Sequence, residues 1–237
     1  MSRTLFISDL HLDPARPDVT RALAAFLANN KRRCDHLYIL GDLFEAWIGD
    51  DDDAPIAAEV TGLLRAFTTD GPDLSLMQGN RDFLLGATFC DAVGAQLLPD
   101  PTVIDLYGTP TLLLHGDSLC TGDEEYQAFR KTARSAQWQS ELLARSLPER
   151  RALASQLRDM SNLANSNKAE DIMDVNPAEV ERIMSDFGVS QLIHGHTHRP
   201  DRHDNAAGCR WVLGDWGTTG WTLTATPNGI SLDSFVI

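Results

Sequence analysis

Five short apolar runs in this chain end in the same way, on a small or polar residue followed by Asp, Asn or His. TLFISDLH delivers Asp9 and His11, LYILGD delivers Asp42, and LSLMQGN delivers Asn80. TLLLHGD delivers His115 and Asp117, and QLIHGHTH delivers His194, His196 and His198. Short runs rich in Ile, Leu and Val and bounded by Gly read as buried strands. Helical patterns separate them. Leu23, Phe26 and Leu27 share a face after Asp18, and Ile56, Val60, Leu63, Leu64 and Phe67 share one after Pro55. In NPAEVERIMSDFG, Asn176 suits the N-cap, Pro177 the first helical position and Gly188 the position past the end. Val180, Ile183, Met184 and Phe187 form its apolar face.

Strands alternating with helices predict an α/β fold, and ligands in such folds collect beyond the carboxyl ends of the strands. Every polar cluster above falls there. The tail from Trp211 reads as strands only, with a tight turn at Pro227-Asn228-Gly229, so a second, more antiparallel sheet is expected. The chain of 237 residues is long enough for a single domain with one sizeable core and a small cap. The cap falls at about 123–172, where Tyr126, Phe129, Trp138, Leu142, Leu143, Leu147, Leu153, Leu157 and Met160 take helical spacings, divided at Pro148.

The strand ends together offer Asp9, His11, Asp42, Asn80, His115, His196 and His198, which are three oxygen donors and four imidazoles. One ion rarely needs so many protein ligands, whereas two first-row divalent ions sharing a bridging carboxylate do. Mixed His and carboxylate ligation suits manganese, iron, cobalt or zinc better than calcium, and the absence of cysteine from the set argues against structural zinc. Asp9 and His11 are two apart, as are His196 and His198. In an extended segment that spacing points both side chains the same way. Gly41, Gly79 and Gly195 precede Asp42, Asn80 and His196 and permit sharp turns and close approach.

Other features have plainer readings. His194 reads as a core residue or a support for the ligands, and His36 and His203 as surface residues. Asp50 to Asp53 reads as a solvated acidic loop. Trp138 and Phe129 read as core, and Trp47 equally as core or as a ligand contact. The four scattered cysteines, Cys34, Cys90, Cys120 and Cys209, are expected to be reduced. The N-terminal apolar run is too short for a secretory signal and no run is long enough to span a membrane, so a cytoplasmic location is expected. The formal charge of −14 makes nucleic acid a poor partner. From Tyr126 to Arg158 the trend reverses: seven basic residues face two acidic ones, a local balance of +5.

The ordered set D-x-H, GD, GN, H and GHxH from Asp9 to His198 resembles the calcineurin-like metallophosphoesterase superfamily. The resemblance implies a four-layered α/β/β/α sandwich. It also implies Asp9, His11, Asp42 and His198 on one metal and Asp42, Asn80, His115 and His196 on the other, with Asp42 bridging. Many members carry a histidine after the Asn as acid for the leaving group; here the residue is Arg81. Arginine cannot give up its proton but holds phosphate oxygens in a fork, which points to a phosphate leaving group and hence a diphosphate substrate.

ISDLHL, GDLFEAWIGDD, QGNRDFLLG, HGDSLCTGDEEYQAFR, ANSNKAEDIMDVNP and HGHTHRP are similar to the UDP-2,3-diacylglucosamine pyrophosphohydrolases of lipid A synthesis, over most of the chain. That narrower resemblance implies hydrolysis to UMP and 2,3-diacylglucosamine 1-phosphate, with two divalent ions, usually Mn2+. The expected attack is by a hydroxide held between the metals, with Asp42, Asn80, Arg81 and His196 in the reacting centre. Asn80, Arg81, Asp123, Ser161, Asn165, Lys168 and His196 are expected on the substrate, and Asp82 and Asp117 behind the ligands. CTGD puts Gly122 where an acidic residue is expected. The basic, apolar cap is expected to take acyl chains and to meet an anionic membrane, placing the protein peripherally on the cytoplasmic face of the bacterial inner membrane with no obligate protein partner. Two other readings compete: a soluble nucleotide pyrophosphatase or phosphodiesterase, and a non-catalytic scaffold on the same fold, which would have lost ligands.

Overall fold

In the computed structural model, which describes residues 2–166, 172 and 174–237, the five apolar runs all become strands. Three of them are β1 (Thr4–Ile7), β2 (His36–Leu40) and β3 (Asp73–Met77), which run parallel with β4 (Gln96–Leu98) beside them. The other two belong to a second sheet that contains β5 (Thr102–Leu106), β6 (Thr109–Leu113), β7 (Gln191–His194), β8 (Asp201–Asn205) and β9 (Gly208–Val212). Two long strands, β10 (Thr219–Thr226) and β11 (Gly229–Val236), complete the first sheet from the C-terminus. The orders are β11-β10-β1-β2-β3-β4 and β5-β6-β7-β9-β8. β10 lies antiparallel to β1, and β6, β7 and β9 are mutually parallel with antiparallel partners at both edges.

Alternation along the strands builds the layers. Leu5, Ile7, Leu37, Ile39, Leu74 and Leu76 point outward onto α1 (Pro17–Asn30), α2 (Pro55–Thr68) and α3 (Ala87–Val93). Phe6, Leu40 and Met77 point inward and meet Leu113, Ile193 and Leu213 of the second sheet. Both faces of the inner strands that carry these runs are therefore covered, which explains why the runs are apolar throughout. Burying each such side chain contributes about 2 kcal/mol. Three helices follow β6: α4 (Glu124–Ala133), α5 (Ala136–Leu143) and α6 (Leu147–Ser166). On the far side of the second sheet, α7 (Pro177–Asp186) sets Val180, Ile183 and Met184 against Leu112, Leu114 and Leu192. Asn176 caps it by accepting from Ala178 N, as its sequence predicts. The result is the four-layered α/β/β/α order.

Several local expectations are corrected. Phe187 is the last turn's exit residue and is 45% exposed, so it is not part of the α7 apolar face. His36 is not a surface residue: it is half-buried, stacked on Tyr38 and bonded to Ser75 Oγ at 2.9 Å. The acidic loop is not simply solvated. Asp50 accepts from Gly86 N, Phe89 N and Trp47 Nε1 and so holds the start of α3. Asp51 pairs with Arg150, while Asp52 and Asp53 pair with Arg151, both on α6.

The basic segment is thus spent largely on internal contacts. Arg130 reaches Asp117 and Asp100, Arg134 reaches Gln78 and Gly79, and Arg158 reaches Asp13. Arg150 is nearly inaccessible and also donates to Ile48 O at 2.7 Å. We therefore expect Arg150→Ala to loosen α6 from the body of the protein. Limited proteolysis should cut within 124–166 faster than in the native chain, and an unchanged rate would mean that these pairs do not hold the helices down.

Candidate metal centre and active site

Left-handed backbone marks the site. Asp9, His11, Asp42, His196 and His198 have φ of 56°, 48°, 51°, 68° and 55°. Non-glycine residues seldom adopt this region, and where they do the surrounding structure must hold them there. Here Asp9 N donates to Gly41 O, His11 N to Asp42 O, and Trp216 N to Asp9 O. These values correct the reading from strand alternation. Asp9 and His11 converge, like His196 and His198, because tight turns after β1 and β7 swing the side chains together; neither pair sits on an extended segment. The glycines serve close approach. A Cβ on Gly79 would collide with Asp42, and one on Gly195 with the Asp9 carboxylate and Ser8.

The turns bring the seven expected side chains to one place. Ligand atoms of Asp9, His11 and His198 lie within 4.8 Å of one another, as do those of Asp9, Asp42 and His115. The two groups share Asp9, and Asp42 Oδ2 faces histidines of both, 3.8 Å from His11 Nε2 and 3.7 Å from His115 Nε2. Asn80 Oδ1 faces His115 Nε2 at 2.9 Å and His196 Nδ1 at 2.8 Å. His115 donates its other ring N–H to Leu40 O at 2.9 Å, which turns Nε2 toward this cluster.

A cation fits this arrangement. Asp9 is completely buried and its Oδ1 has no hydrogen-bond partner, while Oδ2 accepts from Ser8 Oγ and His196 N. An orphaned buried carboxylate oxygen is expensive unless a positive charge answers it. Burial opposes the ionised form of Asp9, but His198, whose Nε2 lies 3.4 Å from Oδ1, and the His115 and His11 imidazoles hold it well below the usual carboxylate range. Burial likewise opposes charging of His11 and His115. Glu45, Asp42 and Asp9 around the first, and Asp42, Asp117 and Asp9 around the second, nevertheless raise both to about 9. His196 is pushed down to about 4 by burial and then by His115. His194 stays out of the cluster: it is buried, accepts from Arg210, donates to Gly195 O, and is pushed down to about 3.

Asp82 and Asp117 lie behind the ligands in different ways. Asp82 accepts from four backbone N–H groups, those of Gly79, Asp42, Leu43 and Phe44, and so ties the loops after β2 and β3 together. Each donor left unmade there would cost about 1–3 kcal/mol. Burial and then Asp42 push Asp82 up to about 6. Asp117 accepts from Tyr126 Oη at 2.6 Å and Arg130 Nε at 2.8 Å. The Tyr126 ring in turn stacks on His196.

A cleft of about 280 Å3 adjoins the cluster, lined in part by Asn80, Arg81, Asp123 and Ser161. Its other walls are largely apolar, with Trp47, Phe83, Phe129, Leu142, Leu153 and Leu157. Trp47 is both core and lining: it is buried, stacks on Phe44, meets Phe89 edge-on, and borders the cleft. Asp123 caps α4 by accepting from Tyr126 N. Arg81 N donates to Asp42 Oδ1 at 2.7 Å, which fixes the start of its side chain beside the cluster. Gly122 lies outside the left-handed region, and a Cβ there would meet Ile172 O at an ordinary 3.7 Å. Lys168 lies outside the described residues, as does the side chain of Asn165. Sequence reasoning missed Glu45, which lies against both His11 and Arg81. Its signal was its position in the GDLFEAWIGDD stretch, three residues after Asp42.

The family model for calcineurin-like phosphoesterases matches residues 2–200. The chain belongs to the calcineurin-like phosphoesterase family. It is 52% identical to a UDP-2,3-diacylglucosamine hydrolase of Cellvibrio japonicus, over 99% of each chain. It is 51% identical to one of Pseudomonas aeruginosa, over 95% of each. Among solved structures, a novel archaeal phosphodiesterase aligns with a TM-score of 0.51 at 11% identity, over 99% of both chains. A hypothetical protein of Pyrococcus horikoshii aligns with the same score and identity, over 100% of this chain and 88% of that one. At that identity these two structures speak for the phosphoesterase fold alone.

The electrostatics give a direct test for a metal. His11 and His115, raised to about 9, carry protons at pH 7.5 in the metal-free protein, and a ligating imidazole must be neutral. Adding Mn2+ to metal-free protein in weak buffer at about pH 7.5 should therefore release protons, and apparent metal affinity should rise with pH toward about 9. Uptake with no acidification would contradict this ligand set.

Proposed function

We propose that this chain hydrolyses the diphosphate of UDP-2,3-diacylglucosamine to UMP and 2,3-diacylglucosamine 1-phosphate, a step of lipid A synthesis. The observation that carries the proposal is that relatives half identical to this chain, over nearly its whole length, bear the name of that hydrolase. The site agrees with it: a cluster suited to divalent ions opens onto a cleft with apolar walls and one arginine at the join.

Asp9, His11, Asp42 and His198 would hold one ion, and Asp42, Asn80, His115 and His196 the other, with Asp42 shared. Mn2+ is the ion we favour for this donor set. Bound ions supply Lewis acidity toward phosphoryl oxygens and a water of lowered pKa. The remaining work belongs to the protein. Arg81 keeps its charge throughout and stabilises negative charge on the transferring and departing phosphates, so no proton donor is needed for the leaving group. Asp123 and Ser161, with Asn165 and Lys168, bind the sugar and nucleotide portions. Trp47, Phe83, Leu142, Leu153 and Leu157 exclude water from the acyl chains. The apolar walls favour this substrate over a soluble nucleotide, and the full complement of ligands favours an enzyme over a scaffold.

We further propose a peripheral position on the cytoplasmic face of the inner membrane. No described helix is long and apolar enough to cross a membrane. Leu143 and Met160 stand 43% and 66% exposed on α5 and α6. With most of the basic residues of this segment paired internally, these apolar side chains would carry more of the contact than net charge.

Stripped of metal, the protein should release no UMP from UDP-2,3-diacylglucosamine in detergent, and Mn2+ should restore release. A deacylated substrate should be turned over far more slowly; equal rates would favour the soluble pyrophosphatase. Asp42→Ala should fold and be inactive. Arg81→Ala should lose about 100-fold or more in kcat while keeping its manganese, and loss of metal in that variant would reassign the residue.

A further inference from the structure

Glu45 sits at the seam between the metal cluster and the cleft. The loops after β1 and β2 continue their parallel pairing beyond the strands, through the Leu12–Phe44 bridge and the bond from Glu45 N to Leu12 O. This fixes the Glu45 backbone opposite His11. One carboxylate oxygen then lies 2.9 Å from His11 Nδ1, and the other lies 3.8 Å from Arg81 Nη1. All three side chains are about one-fifth exposed. Glu45 also lines the cleft.

Geometry limits what this carboxylate can do. Its oxygens face His11 and Arg81, and it lies outside the two groups of clustered ligand atoms. As a bare charge on the wall of a cleft that receives a diphosphate, it would repel the substrate. Both oxygens are instead turned to cationic partners, one in the ligand set and one at the join with the cleft. His11 has two ring nitrogens, and which one faces the ion depends on what the other one meets. The Glu45 carboxylate stands on the Nδ1 side of the ring, 2.9 Å away, which leaves Nε2 on the side of Asp42 and His198, 3.8 Å and 3.3 Å away.

We infer that Glu45 is a positioning residue that sets His11 for metal and seats Arg81 at the mouth of the cleft. The inference rests on the metal reading of the site proposed above. It makes one side chain touch both a metal-ligand candidate and the arginine at the mouth of the cleft. Supporting partners of this kind typically carry 10–100-fold in metal affinity, roughly, beyond what the ligands themselves supply.

The test is a Mn2+ titration of the full-length, metal-free protein, followed by the electron paramagnetic resonance signal of free Mn2+, without substrate. Glu45→Ala should bind its manganese about 10–100-fold more weakly than the native chain. Glu45→Gln should lose less, because its amide oxygen keeps a polar group beside His11 Nδ1. Thermal unfolding reports whether each variant folds; if the alanine variant does not, the near-isosteric glutamine variant decides. Affinities within about twofold of native in the folded variants would overturn the role toward His11. Hydrolysis of UDP-2,3-diacylglucosamine at saturating Mn2+ then tests Arg81. A kcat that stays depressed with little change in KM supports the seating role, and full recovery by excess metal removes it. If the native chain takes up no manganese, the metal reading fails, and Glu45's role fails with it.

Discussion

Two carboxylates, Asp9 and Asp42, are almost wholly removed from solvent and lie among imidazoles. Uncompensated, such a pair would destabilise any fold. The surroundings compensate it from all sides. Ser8 and the His196 amide answer one oxygen of Asp9, the Arg81 amide answers one oxygen of Asp42, and the remaining oxygens are turned to the histidines. Asp82 contributes from behind, holding four amides and thereby the two loops that carry Asp42 and Asn80. The sheets are the platform that makes this possible. Their inner strands are packed on both faces, and the turns at the carboxyl ends of those strands can be held in conformations that a looser scaffold would relax.

The helices after β6 extend the same logic outward. Arg134, the residue that ends α4, donates to the carbonyls of Gln78 and Gly79, immediately before Asn80. Tyr126 and Arg130 converge on Asp117, next to His115 in the chain's HGD segment. Arg150 and Arg151 grip the acidic loop that follows Trp47. The cleft is therefore bounded by elements tied to the ligand-bearing loops themselves, and its apolar walls and its reacting end are positioned together.

What was legible in the sequence follows the strength of local signals. Continuous apolar runs announced β1, β2, β3, β6 and β7, and the cap residues of α7 announced its start. β8, which reads DRHDN, carries no apolar signal because it is an exposed edge strand paired on one side only. The β5–β6 hairpin was missed because β5 alternates over only five residues, with Val103 and Asp105 on its exposed face, before the Tyr107-Gly108 turn. The seven ligand-type residues were recognisable by order and type, but their convergence was ascribed to strand alternation. Asp and His are among the non-glycine residues that enter left-handed turns most readily, but they occur far more often outside them, so residue identity alone does not mark the turn. Glu45 and the ion pairs of Arg150 and Arg151 join segments far apart in the chain, and nothing in either segment alone points to the other.

The ligand set runs from Asp9 to His198, so its two ends meet only after most of the polypeptide exists. During synthesis, β1 and its two ligands leave the ribosome long before β7, which must dock through β6 before His196 and His198 can turn toward them. A partly made chain holds scattered carboxylates and imidazoles with no common focus. An ion that needs the complete set of ligands can therefore be held only by the finished fold, so its binding would stabilise the end state of folding.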